Sequence, residues 1–216
     1  MGETSFLADL SKGGFIMLFI LACSIVLIAA IIERFLSLKN ISINVPSFMN
    51  RIQNAVTSGD IESARAITEQ TNGPLAEVAK AVFEKWKMGR ARMKEVAEIV
   101  GNAQVYILEK NLNLIATITG VAPLLGFFGT VWGMIQAFKR IQALKGNVNA
   151  DVLAGGIWQA METTFAGLFV GIIAIIFYNY FVNRVRQLVF EMESRSEELI
   201  DLLENELNKR GESRET

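Results

Sequence analysis

The sequence predicts an all-α integral membrane protein with three transmembrane helices, spans two and three extending into a helical cytoplasmic part. Three observations carry this reading. Hydrophobic residues make up 51% of the 216-residue chain and charged ones 20%, with a mean hydropathy of +0.34, high for a chain that faces water on all sides. The charges are gathered into blocks, leaving three long stretches almost free of them. Only 3 prolines interrupt a chain rich in Ala, Ile, Leu and Glu, a composition that favours helix.

Composition also excludes whole classes of function. With 21 Lys+Arg against 22 Asp+Glu the net charge is −1, which argues against a nucleic-acid partner held by bulk positive charge. There is no histidine, so the commonest metal ligand and the commonest general base are both absent. The single cysteine, Cys23, allows no internal disulfide. These features point to no metal site, no cofactor and no enzymatic activity. So apolar a chain is not disordered over most of its length.

Residues 1–12 form a short N-terminal segment. The first span, residues 13–33, follows Lys12 and ends at Glu33-Arg34. Its twenty uncharged residues would rise about 30 Å as a helix, the thickness of a bilayer core. It does not read as a cleaved leader, because Glu3 and Asp9 precede it, the apolar run is long and no small-residue cleavage site follows. A cytoplasmic helical loop, 34–111, comes next. Asp60 and Gly73-Pro74 mark a helix start and stop within it. Leu75, Val78, Ala79, Val82, Phe83 and Trp86 then line one face of a helix that ends near Gly89. Beyond Ala91 the next proline is Pro123, and the stripe Val96, Val100, Ala103 and Ile107 predicts an uninterrupted run into span two.

Span two, 112–138, lies in a 28-residue uncharged window between Lys110 and Lys139. A helix of that length is roughly 42 Å, long enough to tilt or project. A connection, 139–156, leads to span three, 157–183, and the tail 184–216 continues as helix through Leu188, Met192, Leu199 and Leu203. Its acids, Glu191, Glu193, Glu197, Glu198, Asp201, Glu204 and Glu206, read either as a solvated face or as a rim for cations or a partner. Of the 21 basic residues, eleven fall in Arg34–Lys110 and six from Arg184 onward, with four left for the N-terminal segment and the 139–156 connection. The positive-inside rule therefore puts the loop and tail in the cytoplasm and the N-terminus outside, which in a bacterium is the periplasm.

Small residues recur every fourth position in the later spans: Ala122, Gly126 and Thr130; Gly129, Gly133 and Ala137; Thr163, Gly167 and Gly171. In lipid such stripes let helix backbones approach closely, and helix packing alone accounts for the glycines. Thr130 lies 20 residues beyond Lys110 and Thr164 lies 20 residues before Arg184, which puts the two hydroxyls at similar heights on opposed helices. Thr119, eleven residues before Thr130, falls about 20° away on the wheel and extends the same polar line. Two readings of these threonines stand: hydroxyls satisfied on their own helix carbonyls, and a ring lining a pore. Glu162 is the one charge inside an apolar stretch, open to an ion-path role or to a structural, interfacial one. It sits about 200° from Thr164 on the helix. No other Asp, Lys or Arg occupies the middle of a span, so a complete proton relay needs a titratable group from another polypeptide.

Ala122 to Phe138, APLLGFFGTVWGMIQAF, resembles the second-span signature of the ExbB/TolQ/MotA proton-channel family, and Ile157 to Phe181, with Thr163-Thr164-Phe165-Ala166-Gly167-Leu168, is similar to its third-span signature. The ExbB and TolQ branches are nearest, and the resemblance covers nearly the whole chain. It implies an inner-membrane homo-oligomer, typically five subunits around two copies of an ExbD/TolR-like protein whose single span carries an Asp. Proton passage through that Asp would drive rotation and power a TonB- or TolA-like protein acting on the outer membrane. Thr130 and Thr164 match the family's pore-facing threonines, whose hydroxyls would exchange hydrogen bonds with the partner carboxylate as it turns. The chain departs from many ExbB sequences at Gln159, where an acid often stands, and in Ile172, Ile173, Ile175 and Ile176, which replace a proline common late in that span. The competing readings are a non-conducting membrane scaffold and a solute transporter; against the latter stands the lack of an inverted repeat.

Overall fold

The computed structural model describes residues 14–41, 44–143 and 150–215, and among them there is no strand. The helices are α1 (Gly14–Ile41), α2 (Val45–Thr57), α3 (Ile61–Gln70), α4 (Pro74–Lys85), α5 (Arg90–Glu109), α6 (Leu112–Ala143) and α7 (Ala150–Glu215), with a 3-10 turn over Trp86–Met88 between α4 and α5. Three of them, α1, α6 and α7, are long and apolar enough to cross a membrane. Residues 1–13 and 144–149, which hold the whole of the expected N-terminal segment and the middle of the 139–156 connection, lie outside the described residues. Helix takes up both ends of that connection, since α6 runs on to Ala143 and α7 starts at Ala150.

The chain divides into two compact units. The first comprises the residues up to Arg34 together with Asn111–Phe181. Its interior is made by Ile16, Met17, Ile20, Leu27 and Ala30 of α1, by Ile115, Ile118, Ala122 and Ala137 of α6, and by Ala160, Val170 and Ala174 of α7. Many large apolar side chains also point outward: Phe15 is 74% exposed and Phe165 72%, and Leu124, Phe127, Trp158 and Ile176 face the same way. A surface as apolar as the interior is the reverse of a water-soluble fold. It is the arrangement that suits lipid, where close packing rather than water expulsion joins helices. Arg34 is buried, 2% exposed, and its guanidinium donates to Glu33 at 2.7 and 2.5 Å. Asn111 Nδ2 donates to the same Glu33 carboxylate at 3.0 Å.

The second unit, Phe35–Lys110 with Val182–Thr216, has the opposite pattern. Phe48, Ile52 and Val56 of α2, Ala64 of α3, Val78, Val82 and Phe83 of α4 and Met93 of α5 close around Met192, Leu199, Ile200 and Leu203 of α7. The helix starts are capped as their sequences dictate. Asn44 Oδ1 accepts from the Ser47 amide at 3.1 Å, and Asp60 accepts from the Ser63 amide at 2.9 Å and its hydroxyl at 2.6 Å. The Ser63 hydroxyl and amide together hold the Asp60 carboxyl below its ordinary pKa. At the start of α5, which follows Gly89 at φ +86°, Arg90 reaches three acids of α7: Glu197 at 2.6 Å, Glu204 at 2.6 Å, and Asp201. These bonds raise the Arg90 pKa, the Asp201 carboxylate contributing most.

One expectation is corrected. The run from Ala91 into span two is not continuous, because Lys110 and Asn111 separate α5 from α6. Asn111 adopts φ +62°, a left-handed conformation that Asn tolerates better than most side chains. The stripe also shifts. Met93, Ala97 and Leu108 are buried, whereas Val96 and Val100 are half-buried and Ala103 and Ile107 exposed. Apolar residues on α5 satisfy a helical period on two adjacent faces, and the one that meets the α7 core wins.

Candidate functional site

The site expected from the sequence lies within the first unit, where α6 and the first part of α7 meet along their glycines. Their approach is close enough to exclude a methyl group at several positions. A Cβ on Gly167 would stand 2.5 Å from the Ala122 carbonyl oxygen and 2.8 Å from Gly126 Cα. One on Gly129 would be 2.2 Å from Thr163 Oγ1, and one on Gly133 2.9 Å from Ala160 Cβ. One on Gly126 would be 3.0–3.2 Å from backbone atoms of Thr163, Thr164 and Gly167. Gly171 receives the ring of Pro123, whose Cγ would be 2.6 Å from an added Cβ. The five glycines singled out in the sequence thus all lie on the seam between the two helices of one chain. Ala122 and Thr163, themselves members of the stripes, meet Gly167 and Gly129, and Pro123 and Ala160 are the partners that spacing alone does not name. Gly14 comes close to α7 as well, with Gln159 Nε2 3.0 Å from its missing Cβ.

Each threonine hydroxyl has a carbonyl to bond. Thr119 Oγ1 donates to Ala116 O at 2.6 Å, Thr130 to Phe127 O at 2.6 Å and the buried Thr163 to Ala160 O at 2.8 Å. Thr164 differs: its hydroxyl crosses to the other helix and donates to Gly126 O at 2.9 Å. That bond sets the relative height of the two helices. Thr164 is level with Gly126, one turn (about 6 Å) from Thr130, where equal spacing from the basic flanks would put them together. Thr119, Thr130 and Thr164 are each half-buried.

Glu162 is half-buried, and its Oε2 atom is buried without a hydrogen-bond partner among the described residues. An orphaned carboxyl oxygen in an apolar helix needs a partner that this chain's described residues do not supply.

The comparisons with known proteins bear on these same helices. Residues 70–194 match the model of the MotA/TolQ/ExbB proton channel family, a stretch running from before α4, through α6, into α7. The chain is similar to an ExbB homolog, named as a biopolymer transport protein, of Methanothermobacter thermautotrophicus. The two are 30% identical over 191 residues, covering 84% of this chain and 64% of that one. It is 26% identical over 155 residues to the biopolymer transport protein ExbB of Neisseria gonorrhoeae, covering 64% of this chain and 67% of the relative. The Tol-Pal system protein TolQ of Haemophilus influenzae is 37% identical over 84 residues, 39% of this chain and 36% of TolQ. The chain therefore spans less than two thirds of the length of the archaeal relative and of TolQ.

Proposed function

The chain belongs to the MotA/TolQ/ExbB proton channel family, and we propose that it is the proton-channel subunit of an ExbB–ExbD- or TolQ–TolR-like motor in a bacterial inner membrane. The observation that carries this reading is that the family match covers the two helices whose glycines fit one another to within the width of a methyl group. As a multi-pass membrane protein, it would sit with its N-terminus in the periplasm and its tail in the cytoplasm, as the distribution of basic residues favours.

In this reading several copies, five by family resemblance, surround two copies of an Asp-bearing single-span partner of the ExbD/TolR kind, and the work passes to a TonB- or TolA-like protein. Thr119, Thr130 and Thr164 line the ion path, with Glu162 beside it, and the glycines hold α6 against α7. The partner supplies the central titrating group, because span two has no ionisable side chain and Glu162 is the one acid of span three. A unit charge crossing 100 mV delivers about 2.3 kcal/mol. A wall without fixed charge lets a carboxyl take up a proton from one side and release it on the other without being trapped in an ion pair.

Purification with the Asp-bearing single-span protein, native mass measurement, and proton uptake into liposomes test the proposal together. The expected result is a multimer containing both proteins, with uptake that ceases when the partner's Asp is changed to Asn. A stable multimer with no uptake under a proton gradient would overturn it in favour of a non-conducting scaffold.

A further inference from the structure

The hydroxyl protons of the threonine line are already committed. A backbone carbonyl oxygen can only accept, so each Oγ1–O contact fixes the hydroxyl as the donor. Thr119 gives its proton to Ala116, Thr130 to Phe127, Thr163 to Ala160 and Thr164 to Gly126. What the half-buried Thr119, Thr130 and Thr164 have left is oxygen lone pairs. Pro123 adds to this: lacking an N–H, it leaves the Thr119 carbonyl without the donor that normally comes from four residues on.

We propose that the threonine line is a surface of acceptors only, which binds the O–H of a neutral carboxylic acid presented by the partner span and repels the carboxylate form. This rests on the reading that the line faces the ion path, and it reverses the expectation that the hydroxyls solvate a carboxylate. A carboxylate brings only lone pairs, and meeting the Thr130 oxygen it would find no free proton. A carboxylic acid brings one O–H, which that oxygen can accept. The partner acid is therefore neutral while it is level with the threonines and ionises only after leaving them. Within the spans the other ionisable groups are few: Cys23 and Glu33 in span one, and Glu162, Tyr178 and Tyr180 in span three, with none in α6 between Lys110 and Lys139; the charged residues Glu33, Arg34, Lys39, Lys139, Arg140, Asp151 and Arg184 stand at the ends of these segments.

The test uses the complex with its Asp-bearing partner in liposomes. Dicyclohexylcarbodiimide is protonated by a neutral carboxylic acid in apolar surroundings and takes up the carboxyl oxygen at its central carbon, an addition with no leaving group, and mass spectrometry reads the adduct on the partner span separately from any on Glu162. Thr130→Asn adds amide N–H donors at the same place. It should move the pH of half-maximal labelling down by about one unit, a tenfold change in the fraction protonated. Thr130→Ser keeps the committed proton and the lone pairs and should leave the midpoint where it is. Thr130→Cys, with a cysteine placed in the partner span, checks by disulfide formation that position 130 meets the partner. Cross-linking together with an unmoved or raised midpoint in Thr130→Asn would overturn the polarity proposed here while leaving the ion path standing. No cross-link and no effect of Asn would remove the ion-path reading, and this inference with it. Sodium-dependent protection from labelling, absent in choline, would assign the oxygens to a cation instead and equally overturn the proposal.

Discussion

A missing methyl group decides more at the α6–α7 seam than any charge does. At Gly167 the obstacles to a Cβ are all backbone atoms, Ala122 O and Gly126 Cα and N, which cannot rotate away. Gly167→Ala should therefore separate the helices and destabilise the first unit by about 1–3 kcal/mol. Gly120 lies on α6 with nothing within 4 Å of its Cβ position, so Gly120→Ala should be neutral or stabilising, by up to about 1 kcal/mol. Thermal unfolding in detergent, followed by circular dichroism, compares the two; equal losses would show that the seam is not where tightness matters. Glu162→Gln preserves shape and removes the ionisable group. Proton uptake should fall only in part, because the central titration is assigned to the partner, and complete loss with native mass unchanged would make Glu162 essential. The glycine spacing was legible in the sequence because a period of four is visible in one dimension. The Thr164–Gly126 bond was not, since it depends on how far one helix slides along another, and basic flanking residues locate that offset only to within a turn.

Among the elements, α4 was readable almost to the residue: Leu75, Val78, Ala79, Val82 and Phe83 are all buried. The break before α6 escaped because Asn111 takes its left-handed turn without the glycine or proline that usually announces one. The three acids on α7 that meet Arg90 are spaced i, i+4, i+7 and look like any solvated face until α5 is laid beside them. These pairs are partly exposed, so salt screens them. Arg90→Ala should lower the melting temperature of the second unit at low ionic strength and much less in molar salt, while Arg90→Lys should recover part of the loss. A deficit unchanged by salt would mean that Arg90 acts through packing. The Asp60 cap has its own pH signature. Its pKa is depressed by folding, so its contribution is present above the unfolded value and is lost as pH falls through the folded one. Hydrogen exchange at the Ser63 amide should accelerate relative to neighbouring helices in that acid window. In Asp60→Asn, which keeps an acceptor but does not titrate, the acceleration should disappear.

At the scale of the whole molecule, three spans, their order and the helical character of the rest followed from where the charges are absent. The family followed from two short signatures, and the match over residues 70–194 agrees with it. What a linear pattern cannot carry is which hydrogen-bond donors are already used, because that is decided by neighbours in space. The outward-facing apolar side chains of the first unit have a calorimetric consequence. Unfolding raises the heat capacity in proportion to the apolar surface newly wetted. The second unit buries Phe48, Ile52, Val82, Phe83 and Leu199 away from water, whereas in the first Phe15, Phe127 and Phe165 already face outward, into hydrocarbon when embedded. A scan of the protein in bilayers should therefore show a step near 1.5 kcal/mol/K, about what the second unit alone would give, rather than the roughly 3 kcal/mol/K of a soluble chain of this length. The full step would mean that the first unit, too, melts into water; the smaller one would mean that heat strips away the aqueous unit and leaves the spans standing in a solvent that has no cause to unfold them.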